Sequence, residues 1–182
     1  MVLDNLFIIF AQDANRLIGS NDLDEDNRVR SKLPWTGQTA DLQFFKSKCK
    51  GTIGICGKYT YKSIPRSVLD DVLDNVVILS NTMEKYDLRR NYHILSNFDK
   101  TYSHILNNPH KTFSIIGGRS VYEDFAPYAS TAYVTTFDFE SPTPENPIYA
   151  PSLENFVVSN KIDINNLSGK ILKYKQETYE NS

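Results

Sequence analysis

Short runs of β-branched and aromatic residues recur along the chain: LFIIFA at 6–11, TIGIC at 52–56, NVVILS at 75–80, TFSIIG at 112–117 and TAYVTTF at 131–137. Helical patterns lie between them, and that alternation predicts an α/β fold with a largely parallel sheet. In TADLQFFKSKCKG, Thr39 is placed to cap a helix, Leu42, Phe45 and Cys49 recur at steps of three and four, and Gly51 supplies the stop. Further helices fit GKYTYKSI at 57–64, a stretch near 98–107 and RSVYEDFA at 119–126, each opening after a strand. Beyond Glu140 the turn-rich SPTPENP leads into FVVSN and KILKYKQETYE, which alternate like the strands of a closing hairpin and predict an antiparallel C-terminus. Residues 21–32 are charge-dense without period and read as a surface loop.

Composition narrows the function classes. The 182 residues carry 20 Lys plus Arg against 22 Asp plus Glu, and 40% are hydrophobic, which fits one globular domain over residues 1–182. A chain of this length buries roughly 70% of its unfolded surface and needs neither disulfide nor structural metal. A net charge of -2 and a pI near 5.9 argue against a nucleic-acid partner. The apolar runs are too short for a membrane span, so the chain reads as a cytoplasmic protein without a membrane partner. Cys49 and Cys56 lack the spacing and His partners of a metal or redox motif and read as small buried hydrophobes; no metal is expected.

Two strand-to-helix junctions carry glycine, at Gly57 and at Gly117 with Gly118. Helix N-termini present free N–H groups and partial positive charge, and glycine lets a phosphate approach the backbone, though it serves a tight turn equally well. Two such junctions in one sheet favour a pyrophosphate-bearing cofactor, with Lys58 and Thr60 adding charge and a donor and Ser80 meeting its far end. The GxGxxG fingerprint is absent. In LPWTGQTADLQFFK one carboxylate, Asp41, enters the first turn of an otherwise apolar-faced helix, where complementing the helix dipole is the simpler reading.

The ordered set IFAQDANRLIG, LPW with Asp41-Leu42 and Phe45-Lys46, GKYTYKSI, VVILS, IIGGRSVYEDF and AYVTTFD resembles dihydrofolate reductase over nearly the full chain. The resemblance implies a mainly parallel eight-stranded sheet with an antiparallel C-terminal strand and four flanking helices, and a monomer that uses NADPH to reduce 7,8-dihydrofolate to tetrahydrofolate. It makes Asp41 the carboxylate that binds the pterin, Thr135 the strand threonine beside it and Trp35 the loop residue holding a water. Ile9, Ala11, Leu42, Phe45, Ile64, Ile116 and Tyr122 would line the substrate and nicotinamide surfaces. Ala11, Ile18, Gly57, Lys58, Thr60, Ser80, Gly117, Gly118, Ser120 and Val121 would meet the cofactor.

Three departures accompany the match. Residues 19–35 are long for the family's lid and rich in charge of both signs. RSVLDDVLDN stands where the family places an arginine that clamps the substrate's glutamate carboxylate, leaving Lys46 and Arg66 as replacement cations. Lys58 alone matches the cations for the cofactor 2′-phosphate. A related pterin or pyrimidine reductase, and a non-catalytic protein retaining the fold, are the competing readings.

Overall fold

The strand β1, Leu3–Gln12, is apolar without a break from Leu6 to Ala11, where both its faces are covered: Leu6, Ile8 and Phe10 enter one buried cluster, Phe7 and Ile9 another. The computed structural model describes residues 1–23, 29–32, 39–83, 92–164 and 174–181. After β1 come β2 (Leu17–Leu23), β3 (Val29–Lys32), α1 (Thr39–Cys49), β4 (Ile53–Gly57), α2 (Lys58–Ser63), α3 (Arg66–Val72), β5 (Asn75–Leu79) and β6 (Tyr92–Leu95). Then follow α4 (Phe98–Leu106), β7 (Phe113–Gly117), α5 (Arg119–Phe125), β8 (Ala129–Phe137), β9 (Pro147–Tyr149), β10 (Phe156–Ile164) and β11 (Tyr174–Asn181).

Eight strands form one sheet in the order β10-β11-β8-β1-β7-β4-β5-β6. β8, β1, β7, β4, β5 and β6 run parallel, and β11 and β10 close the sheet antiparallel. Phe44, Phe45 and Cys49 of α1 and Leu69 and Val72 of α3 pack on one face; Ile105 of α4 and Val121, Tyr122 and Phe125 of α5 pack on the other. β7 lies between β1 and β4, so neighbouring strand ends are served by helices from opposite faces, and the crevice this leaves is where parallel sheets bind ligands. None of the described helices is long and apolar enough to cross a membrane.

Five helices stand among the described residues where four were expected. Pro65 makes the difference: Ile64 before it is extended, which ends α2, and α3 begins directly after it with Val68, Leu69 and Val72 buried. The expected surface loop at 21–32 is corrected too. β2 and β3 pair antiparallel, with Ser20 opposite Lys32 and Leu23 opposite Val29, and β9 joins β2 to make a second, three-stranded sheet. Backbone pairing with residues over 120 positions away holds this element, so its side chains show no apolar period. The expected stop at Gly51 stands: its φ is +75° and its N–H donates to Val72 O at 2.8 Å.

Candidate active site

Asp41 sits in the first turn of α1, partly buried against the sheet. Burial pushes its carboxyl from 3.8 up to about 6, and the nearby Thr135 hydroxyl partly offsets that rise. Thr135 lies on β8 directly beside Ala11 of β1, and it is 1% exposed. Its hydroxyl is fully buried yet meets no partner at hydrogen-bonding geometry, so it influences Asp41 by proximity and retains unused hydrogen-bonding capacity. Such an orphaned buried group is uncommon and points to a partner that arrives with a ligand.

The side chains expected to line the substrate surface beside this pair are apolar. Ile9 and Ile116 are buried on adjacent strands, Ala11, Phe45 and Ile64 are partly buried, and Leu42 is 40% exposed at the open side. Tyr122 closes it from α5, donating its hydroxyl to Ile9 O at 2.8 Å while burial holds the phenol well above its ordinary range. Tyr122 is therefore a neutral wall.

The two glycine junctions are neighbours, because β4 pairs with β7. A Cβ built on Gly118 would lie 3.1 Å from Thr60 Oγ1, and one on Gly117, whose φ is +121°, would lie 3.3 Å from Thr60 and from the Tyr122 hydroxyl. The Gly117–Gly118 peptide is cis. Side chains there would fill the floor of the crevice. Neither α2 nor α5 has a side-chain cap, so their leading N–H groups remain open to an anion. Ser120 is exposed at the start of α5 and Val121 is buried beneath it, while Ile18 on β2 is partly buried against the main core.

Beyond β5, Ser80 Oγ accepts from the N–H groups of Thr82 and Met83 and folds the following turn back. That turn sets Thr82 against Lys58, with Nζ 3.3 Å from Oγ1. Thr82 escaped the sequence reading because only the turn brings it 24 residues back to Lys58. Asp13 was also missed. Completely buried, it accepts N–H bonds from Asn15 and Leu17 on Oδ1 and from Ser141 on Oδ2, tying the β1–β2 turn to the connection between β8 and β9. The D-x-N spacing at 13–15 was its signal, that of an Asx turn.

The structure thus gathers Asp41, Thr135, Ile9, Ala11, Ile116 and Tyr122 at one end of the crevice, and Gly57, Lys58, Thr60, Ser80, Gly117 and Gly118 along it. Lys46 and Arg66 are exposed. Trp35 lies outside the described residues.

Two glycine-flanked helix starts beside an apolar set of side chains and the carboxylate of Asp41 suit a nucleotide-dependent reductase. A sequence model of the dihydrofolate reductase family matches residues 5–181. The chain is 34% identical over 132 residues to dihydrofolate reductase of Bacillus subtilis, covering 72% of this chain and 68% of the relative. It is 24% identical over 149 residues to dihydrofolate reductase type A10 of Escherichia coli, covering 81% and 73%. A dihydrofolate reductase from Enterococcus faecalis, solved with NADP(H) and RAB-propyl, superposes over 100% of this chain and 99% of its own with a TM-score of 0.74 at 17% identity, which establishes the fold. The chain belongs to the dihydrofolate reductase family.

Proposed function

We propose that this protein reduces 7,8-dihydrofolate to 5,6,7,8-tetrahydrofolate with NADPH, acting as a cytoplasmic monomer without nucleic-acid or membrane partners. The observation that carries the reading is the Asp41–Thr135 pair: a carboxyl raised to about 6 beside a buried hydroxyl that has no partner of its own. A pterin's 2-amino group and ring nitrogen supply the donors that such a pair lacks.

The crevice fits the cofactor. The uncapped starts of α2 and α5 and the bare backbone of Gly57, Gly117 and Gly118 would hold its pyrophosphate, Thr60 would stand beside it, and Lys58, Ser80 and Thr82 would face its 2′-phosphate. When bound, NADPH supplies the hydride, from nicotinamide C4 to pterin C6.

The protein's own part is positioning and electrostatics. Ile9, Ile116, Phe45 and Tyr122 exclude water and hold the ring flat, and Leu42 and Ile64 flank its benzoyl tail. Asp41 orients the ring and its negative charge favours the form protonated at N5, with water delivering that proton. Trp35 belongs to the same reading as the residue that holds the water. Lys46 and Arg66, exposed on α1 and α3, are the cations available to the glutamate tail.

The test is absorbance at 340 nm with NADPH and dihydrofolate added separately and together. Oxidation only with both present is expected. Cofactor oxidation with another pterin but not dihydrofolate would move the protein to a related reductase, and binding without oxidation would make it a fold-retaining binder.

A further inference from the structure

The hairpin of β2 and β3 crosses the crevice. β2 stays beside β1, whereas β3 lies against α2, the helix that follows β4. β7 stands between β1 and β4, and the three strands run parallel, so their C-terminal ends share one edge of the sheet. A ribbon that starts beyond the end of β1 and reaches α2 therefore passes the end of β7, where Gly117 and Gly118 leave the backbone bare. Burial identifies the face that the ribbon turns inward. Ser20 is 5% exposed while its neighbour Asn21 is exposed, and successive residues of a strand belong to opposite faces. Leu17 joins Ser20 on the inner face, since their partners on β9, Tyr149 and Pro147, are two residues apart, and it is 2% exposed. Opposed residues of an antiparallel pair share a face, so Lys32, opposite Ser20, and Arg30, opposite Asp22, belong to the inner face as well.

We infer that Lys32 is a cofactor-binding residue, the cation that β3 brings to the cofactor's diphosphate over Gly57, Thr60, Gly117 and Gly118. The assignment rests on the functional reading given above. A diphosphate is doubly negative, whereas the groups that form its cradle, backbone N–H donors and the Thr60 hydroxyl, are neutral. The hairpin brings the missing charge from the side opposite the glycines. Of its two inner cations, Arg30 stands opposite Asp22, a pairing of opposite charges, while Lys32 stands opposite an uncharged serine. Lys32 thus differs from Lys58 in what it recognises: the diphosphate common to NADPH and NADH, and not the 2′-phosphate that separates them.

The cations of the two helices at the cradle are committed elsewhere. Arg119, at the start of α5, donates from Nε to Glu123 Oε1 at 2.7 Å. Lys58 Nζ lies 3.3 Å from Thr82 Oγ1, at the 2′-phosphate end, and Lys62 belongs to the last turn of α2. A charge held between a ribbon and the edge of the sheet is screened less than one on an open surface, so a single lysine there contributes more than an exposed ion pair would.

The test is fluorescence titration of the full-length protein with NADPH and with NADH, at low and at high salt, for the wild type, Lys32→Gln, Lys32→Arg and Arg30→Gln. In Lys32→Gln the Kd of both cofactors should rise alike, by about tenfold at low salt, and high salt should shrink that difference. Lys32→Arg keeps the charge and should keep most of the affinity. Arg30→Gln should cost less than Lys32→Gln, because Asp22 already answers that charge. An unchanged Kd in Lys32→Gln would overturn the inference, and so would a loss confined to NADPH, which would move Lys32 to the 2′-phosphate. A loss that Lys32→Arg shares in full would also overturn it, since the residue would then matter for its shape in the hairpin and not for its charge. A wild type that binds both cofactors but oxidises neither with dihydrofolate would sink the functional reading instead, while the binding comparison still decides the role of Lys32.

Discussion

A single carboxyl group, Asp41, makes the stability of the fold depend on pH. Asp41 titrates at about 6 instead of 3.8, so the folded chain binds its proton more tightly than the unfolded chain does. Stability is then lost as pH rises from about 4 through about 6, amounting to about 3 kcal/mol at most. Asp41→Asn removes the charge and with it the loss. The variant should match the wild type near pH 4 in denaturant titrations and exceed it by about 3 kcal/mol at pH 7. Its turnover should nonetheless fall by roughly 10², the usual scale for deleting a charge aimed at a developing cation. A variant of unchanged stability and full turnover would return Asp41 to the role of a helix-dipole partner, the simpler reading of its position in the sequence.

Elements matter here chiefly through their junctions. Gly57 ends β4 and Lys58 begins α2, and the turn after β5 brings Thr82 to the same ammonium group. With one cation for the 2′-phosphate, a charged hydrogen bond contributes about 1.5 kcal/mol, so Lys58→Ala should weaken NADPH binding about tenfold and leave NADH nearly untouched. Fluorescence titration with both cofactors checks this, and equal losses would remove Lys58 from the phosphate site. The β1–β2 turn depends on Asp13 in a similar way. Asp13→Ala strands three N–H groups, two of them buried, and should cost about 3 kcal/mol by denaturant midpoint, whereas Asp13→Asn keeps an acceptor and should cost roughly half that. Equal costs would mean that the second carboxylate oxygen, on Ser141 N, carries the whole contribution.

Across the whole molecule, both cysteines report on global opening. Cys49 and Cys56 are completely buried, and burial pushes both thiols up to about 12, far from the thiolate that reacts. Neither should react with a thiol reagent in the native state, and both should react at the rate of unfolding or large-scale opening. Saturating NADPH should slow that reaction by mass action. Fast labelling of one cysteine with no effect of cofactor would reveal a local opening on that face of the sheet.

Much of this architecture is written locally. The apolar runs of β1, β4, β5, β7 and β8, the helix after Thr39 and the stop at Gly51 depend on residue spacing and on the backbone freedom of glycine, which act over a few residues and can be read without knowing what lies alongside. The motifs around Asp41, Gly57 and Gly117 also carry their own spacing, so the family was legible from order alone. The hairpin of β2 and β3 was not, because β2 also pairs with β9, far along the chain, and no local pattern encodes that partner. Nor was the break at Pro65, which reads as an ordinary helix end until the buried Val68, Leu69 and Val72 show a second helix beyond it. The raised carboxyl of Asp41, the unpartnered hydroxyl of Thr135 and the approach of Thr82 to Lys58 were decided by tertiary structure alone. Each arises from desolvation or contact between residues 24 to 94 positions apart, and no local pattern in the sequence encodes which side chains will meet.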